Sequence, residues 1–402
     1  MKAKSVVPVV LLLWTVVGAT TAECAMGDLL TTISPPNPGV DEAFGYSLAA
    51  DEAHVLVGVP RCDMGNDQAG AAYVFDGQTG GLQHTLQQPS PAGHDYLGFS
   101  VALVADRALV GAIYRGGNRG EAYLFDVHTG DLDRTLQAPA GGNFGYSVAG
   151  AAGKAIVGAI YAGTMGGQAY QFNCDTGDLA NTFQMPGGYF GYYVAGMGED
   201  VLVADPPCGA VHFFDGVTGQ LQRTFLTPEP GSNDFFGCSV AAVGNNILVG
   251  APTSGWLPGP NSGVAYLLDG MTGDVLLTLG NPNPSPGDCF GLRVAAVGTD
   301  LLVGANHDDT AGIDAGAAYL FDGTTGELLL SLFEPAPREE GHFGTAVAGM
   351  GSEIVVSSFW FHGNPPTAYG NGSVYVFEGV PEPATLALLA VGGAAMLLRR
   401  KA

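Results

Sequence analysis

Positive charge is scarce in this chain. Only 14 Lys and Arg stand against 38 Asp and Glu, for a formal net charge of −24 in 402 residues. Lys2, Lys4, Arg399, Arg400 and Lys401 sit at the two ends, so the body between them is more acidic still. Such a surface repels polyanions and excludes nucleic acid as a partner held by bulk electrostatics. The six cysteines include no Cys-x-x-Cys pair, which excludes the usual zinc site. Gly-x-Ser-x-Gly is absent, and the eight histidines form no repeated grouping with a Ser or Cys nucleophile. We therefore assign no catalytic residue and read the chain as non-enzymatic. Between residues 27 and 379 no window has the 3.6-residue period of an amphipathic helix, which excludes a helical bundle.

What is present is a repeat. Phe44-Gly45 recurs as Phe144-Gly145, Phe190-Gly191, Phe236-Gly237, Phe290-Gly291 and Phe343-Gly344, with a degenerate copy at Leu97-Gly98. Successive glycines lie 46 to 54 residues apart, the period of propeller blades or a similar array. Each repeat holds four short β-type runs, in the first repeat Phe44 to Ala49, Val55 to Val59, Ala71 to Phe75 and Leu82 to Leu86. The third run usually ends in Asp-Gly-x-Thr-Gly, as at Asp76 to Gly80 and Asp322 to Gly326, which suits a tight hairpin. Seven such units predict an all-β, seven-bladed propeller of four-stranded antiparallel blades over residues 27–379. The seventh repeat stops at Pro381 without a fourth run. Gly27 to Ile33 matches Gly273 to Leu279 of the fifth repeat, so the N-terminal strand is expected to complete the last blade. That would remove an exposed sheet edge, and it requires any leader to be cut before Gly27.

The ends read as addresses. Lys2 and Lys4, the apolar run Val6 to Val17 and the small residues Ala19 to Ala22 make residues 1–22 a signal peptide, with Ala25 as a second cleavage point. Glu23 before Cys24 argues against a lipoprotein cysteine. Export permits disulfides, and six cysteines allow 15 pairings. Cys238 and Cys289 flank Phe-Gly steps of adjacent repeats and are the preferred pair, with two buried free thiols as the alternative. At the other end, Pro381-Glu382-Pro383 precedes fifteen uncharged residues, Ala384 to Leu398, and then Arg399-Arg400-Lys401. The apolar run is short for a permanent span and suits transient membrane anchoring.

This C-terminal segment, residues 380–402, resembles the PEP-CTERM sorting signal, with Pro381, Glu382 and Pro383 as its motif. The resemblance implies processing by an exosortase-type protease after passage through the export machinery. The implied address is the cell surface or extracellular matrix of a Gram-negative-type bacterium. The Phe-Gly start and the Gly-Ala-Pro-like end of the second run, as in Val249-Gly250-Ala251-Pro252, resemble the FG-GAP repeat family. That family forms β-propellers and works mostly in adhesion and ligand binding. Its integrin-type members hold Ca²⁺ in an Asp-x-Asp-x-Asp-Gly loop. Here the corresponding turns, such as Asp51-Glu52-Ala53 and Gly244-Asn245-Asn246, are too short to supply six to eight oxygens. No cofactor is assigned on this basis.

The loops between second and third strands supply the remaining candidates. Asp308, Asp309 and Asp314 could form a divalent-cation loop for Ca²⁺, but their spacing matches no compact ligand set and favours a hydrated acidic loop. Tyr114, Tyr161, Trp256, Trp360 and His362 are expected on the loop-rich face. There the rings would stack on a polysaccharide or meet a cell-surface protein. Three readings follow: a surface- or matrix-associated binding and adhesion propeller, a secreted carbohydrate-active enzyme or quinoprotein-like propeller, and a structural matrix component. Quinoprotein repeats place a Trp shortly after the turn, whereas Thr85, Thr135 and Thr224 stand here, which weighs against cofactor binding.

Overall fold

The computed structural model describes residues 26–38, 41–164, 166–229, 234–252, 262–359, 361–362, 368–369 and 372–380. The signal peptide, the Pro381-Glu382-Pro383 motif and residues 384–398 lie outside the described residues. Seven four-stranded antiparallel sheets follow one another along the chain. Blade 1 is Ser47–Ala50, His54–Val59, Ala71–Asp76 and Leu82–Leu86. Blade 4 shows the same order in Tyr193–Met197, Asp200–Asp205, Ala210–Phe214 and Leu221–Leu226. In every blade the first strand lies innermost, and first strands touch in sequence until that of blade 7 meets that of blade 1. The ring is therefore closed around an axial channel.

Blade 7 closes as expected. Leu29–Ile33 adds antiparallel to Ser373–Phe377, with Thr32 opposite Tyr375 and Ile33 opposite Val374. The Gly27 amide donates to the Glu378 carbonyl at 2.8 Å, and the Glu378 amide donates to the Asp28 carbonyl at 2.9 Å. Ile33 is the one buried side chain of that strand and joins Phe44 and Val376 in the core between blades 7 and 1. Six further apolar clusters fill the remaining blade interfaces. The core is thus seven slabs between blades rather than one central mass, because the sheets pack face to face around the ring.

The Phe-Gly step has a specific job in this packing. Each Phe, and Leu97 in the degenerate copy, is fully buried. Phe44, Phe144, Phe290 and Phe343 each meet an aromatic of the third strand edge-on, as Phe44 does Phe75 at 6.0 Å. The following glycine has φ between +84° and +94° in all seven copies, a region closed to most side chains. This turn interrupts the ladder. The first strand of blade 1 accordingly starts at Ser47 rather than Phe44, whereas blades 2 and 3 carry the strand through with a bulge.

The glycine carbonyl then becomes the joint to the preceding blade. Ser47 Oγ donates to Gly98 O at 2.9 Å, Ser100 Oγ to Gly145 O at 2.7 Å and Ser147 Oγ to Gly191 O at 2.9 Å. Beneath each lies the glycine of the second strand, at Gly58, Gly111 and Gly158, where a Cβ would overlap that same carbonyl. So the two halves of the sequence signature meet across a blade boundary.

The Asp-Gly-x-Thr-Gly turns also form as read. Asp76 Oδ1 accepts the Thr79 amide at 2.7 Å and the Thr79 hydroxyl at 2.8 Å. Bonds from Thr79 hold the Asp76 carboxyl below its usual pKa, and Thr129, Thr218, Thr272 and Thr325 do the same for Asp126, Asp215, Asp269 and Asp322. The preferred Cys238–Cys289 pairing is corrected. Both are free thiols, as are Cys62, Cys174 and Cys208. The two occupy unlike places in the repeat: Cys238 follows the Phe-Gly step and lines the channel, while Cys289 precedes the next Phe.

Candidate functional site

Antiparallel order sends the second-to-third loops and the blade-to-blade connections to one face. Tyr114 and Tyr161 both lie there, 37% and 59% exposed. Tyr114 packs beside Tyr96 from the preceding connection, with centroids 5.2 Å apart. Tyr161 meets Tyr189 edge-on at 5.6 Å, and Tyr189 is 40% exposed. Burial, then the Tyr189 hydroxyl, pushes the Tyr161 phenol up, with Tyr114 a further contributor. Four tyrosines therefore form an arc across blades 2 to 4. Trp256 and Trp360 lie outside the described residues. Of His362, only the backbone is described, as a short pair of Phe361–His362 with Ala368–Tyr369.

The acidic loop is built from its own carboxylates. Asp308 is fully buried and accepts from Asn281 at 2.8 Å, from the Tyr319 hydroxyl at 2.7 Å and from the Thr310 amide at 2.8 Å. Asp309 accepts the Asp314 amide, and Asp314 pairs with His307 Nδ1 at 2.9 Å. The three acids turn to different partners rather than to one centre. Among the described residues no group of three or more His, Cys, Asp or Glu is arranged to hold a metal.

A cleft beside the arc is lined by His94, Asp95, Tyr114, Arg115 and Glu121. Its charges are already engaged with one another. Asp95 accepts from Gln88, the Ala92 amide and Arg115, the last at 3.0 Å. Glu121 takes the Tyr123 hydroxyl, Gln137 and Arg115.

The ring axis holds a second site that sequence reasoning missed. A cavity of about 140 Å³ is lined by residues of all seven blades, among them Tyr46, Phe99, Tyr146, Tyr192, Cys238, Arg293 and Ala346. Tyr46, Phe99, Tyr146 and Tyr192 occupy the same repeat position and tile the wall with centroids 5.1 to 5.2 Å apart. Phe359 meets Tyr46 edge-on at 6.1 Å from the blade 7 loop. Arg293 stands where Ser47, Ser100 and Ser147 stand in other blades. Toward the opposite face the channel is walled by alanine, valine and glycine, such as Ala102, Gly150, Ala241 and Gly349. The signal was in the sequence: an aromatic directly after the Phe-Gly step in four consecutive repeats, and one cation in a column of serines.

Comparison with known families matches these features to the FG-GAP repeat over residues 83–125, 221–268 and 279–321. The chain carries FG-GAP repeats within a seven-bladed β-propeller. Each matched stretch begins near the outer strand of one blade and ends in the third strand of the next. The FG-GAP repeat is thus offset from the blade by one strand, the same offset that leaves Leu29–Ile33 to finish blade 7. Residues 379–401 match the PEP-CTERM protein-sorting motif, which marks the propeller as an exported, cell-surface-associated protein handled by exosortase-type machinery. No curated protein matches the chain. Among the described residues no helix is long and apolar enough to cross a membrane.

Proposed function

We propose that this propeller is a non-enzymatic adhesion module, displayed on the surface or in the matrix of a Gram-negative-type bacterium, that binds neutral polysaccharide across its tyrosine arc. The observation that carries the reading is the exposure of Tyr114, Tyr161 and Tyr189 on one loop-rich face, Tyr114 backed by the half-buried Tyr96 and Tyr161 paired with Tyr189. Aromatic faces stack on the apolar faces of sugar rings, and rigid strands hold the loops that carry them. The net charge of −24 disfavours an anionic polymer on the same surface. A hydrolytic reading has one observation in its favour, the cleft with Asp95 and Glu121. Both acids there are bound to Arg115, which leaves no free general base.

The test is retention on immobilised neutral polysaccharides. Tyr161→Ala with Tyr189→Ala should lower affinity at least tenfold without lowering the melting temperature, because both rings are exposed and carry little of the core. Unchanged retention would reject the arc as the binding surface. Retention only by a cell-surface protein would reject the polysaccharide assignment.

A further inference from the structure

Arg293 lines the axial channel of an acidic protein, partly buried, with no carboxylate beside it. Among the described residues none lies within ion-pair distance of its guanidinium. Nη1 donates to the Leu292 carbonyl at 2.9 Å and the guanidinium also bonds the Cys238 thiol, which leaves donors of its five N–H groups to spare. The groups facing it are Cys238, Tyr193, Tyr192 and Tyr46. None supplies a counter-charge at neutral pH. Burial pushes the Tyr46 phenol up to about 12 and also raises Tyr192. Burial raises the Cys238 thiol as well, against the pull of Arg293. A cation partly withdrawn from water without an ion partner carries a desolvation cost, and a positioned anion offsets it.

The cavity around it also has the shape of a small-molecule site. Its volume of about 140 Å³ is close to that of an apolar cavity of about 150 Å³ known to take benzene. The walls are aromatic rings, and the guanidinium fork matches a carboxylate in two parallel bonds. An oligosaccharide is too large for this space.

We propose that the axial cavity binds a small organic carboxylate, with Arg293 holding the carboxyl group and the Tyr46, Phe99, Tyr146 and Tyr192 rings enclosing the apolar body. The site is separate from the rim arc and stands whether or not the arc binds polysaccharide. Blades 1 to 4 supply the rings and blade 6 the cation, so the site exists only in the closed ring.

The probe is benzoate, titrated calorimetrically into the full-length protein, with benzamide as the neutral isostere and inorganic phosphate as the tetrahedral anion. Benzoate should saturate one site per chain, and benzamide should bind at least tenfold more weakly. Arg293→Gln should lose benzoate at least tenfold while keeping or raising the melting temperature, because it removes a charge that lacks an ion partner. Arg293→Lys keeps a cation and should lie between the two. Benzoate binding that is indifferent to Arg293→Gln, benzamide equal to benzoate, or phosphate tighter than benzoate would overturn the assignment. So would a lack of saturable benzoate binding at millimolar concentration. A lower melting temperature for both variants, with no benzoate binding by the parent, would make Arg293 a packing residue.

Discussion

Gly111→Ala tests the joint between blades directly. Gly111 has an ordinary φ, so alanine brings no backbone strain there. Its Cβ would overlap the Gly145 carbonyl and stand 2.6 Å from Ser100 Oγ. Relieving such an overlap in a packed interior costs about 1–3 kcal/mol. It would also break the Ser100 to Gly145 bond, worth about 1 kcal/mol more. The expected loss is therefore about 2–4 kcal/mol. Two companions fix the reference points. Ser100→Ala removes the bond alone and should cost about 1 kcal/mol. Gly280→Ala also has an ordinary φ but nothing within 4 Å of the new methyl, so it should be neutral or stabilise by up to about 1 kcal/mol. The readout is the urea midpoint followed by circular dichroism, compared at constant m. If Gly111→Ala falls no further than Gly280→Ala, the glycine is not there to admit the neighbouring carbonyl. The double variant Ser100→Ala with Gly111→Ala should lose less than the sum of the two, because both act on one contact.

Ile33→Ala should cost about 2–5 kcal/mol, read in the same urea titration, because Ile33 is the only buried side chain of the closing strand. A loss below about 1 kcal/mol would mean that backbone pairing alone holds the ring shut. His342 supplies a pH dependence. Burial, with His307 adding to it, lowers its pKa to about 4. Its stabilising effect is complete above the ordinary histidine value of about 6.5 and is lost as pH falls toward 4, by roughly 3 kcal/mol at most. Asp288, pushed up to about 6 by burial, slopes the opposite way across part of that window. The difference between parent and His342→Gln therefore isolates the histidine. Parallel stability profiles for the two between pH 7 and 4 would exclude it.

The architecture was readable because the repeat wrote it seven times. A glycine spacing of 46 to 54 residues sets blade number, and the match of Gly27 to Ile33 with Gly273 to Leu279 sets closure. Tyr114 and Tyr161 reached the exposed rim because strand alternation fixes which loops share a face. The Cys238–Cys289 expectation failed because nearness to a Phe-Gly step says nothing about which side of the strand a residue takes. The axial site escaped notice for a related reason. Tyr46, Phe99, Tyr146 and Tyr192 look like ordinary β-formers in a linear sequence, and only the closed ring brings them onto one wall with Arg293. Spacing reports neighbours along the chain, whereas this site is assembled across blades.

The closing strand also determines how the ring carries load. Ser373–Phe377 is the last strand before the sorting segment, and it lies between Leu29–Ile33 and Glu353–Ser358, hydrogen-bonded to both. Tension applied from residue 380 pulls that strand along its own length. The bonds on its two sides then resist in shear, all together, instead of opening one at a time. A propeller held through residue 380 is gripped along two ladders loaded in shear, and the seam that seals the ring is also the seam that bears the pull.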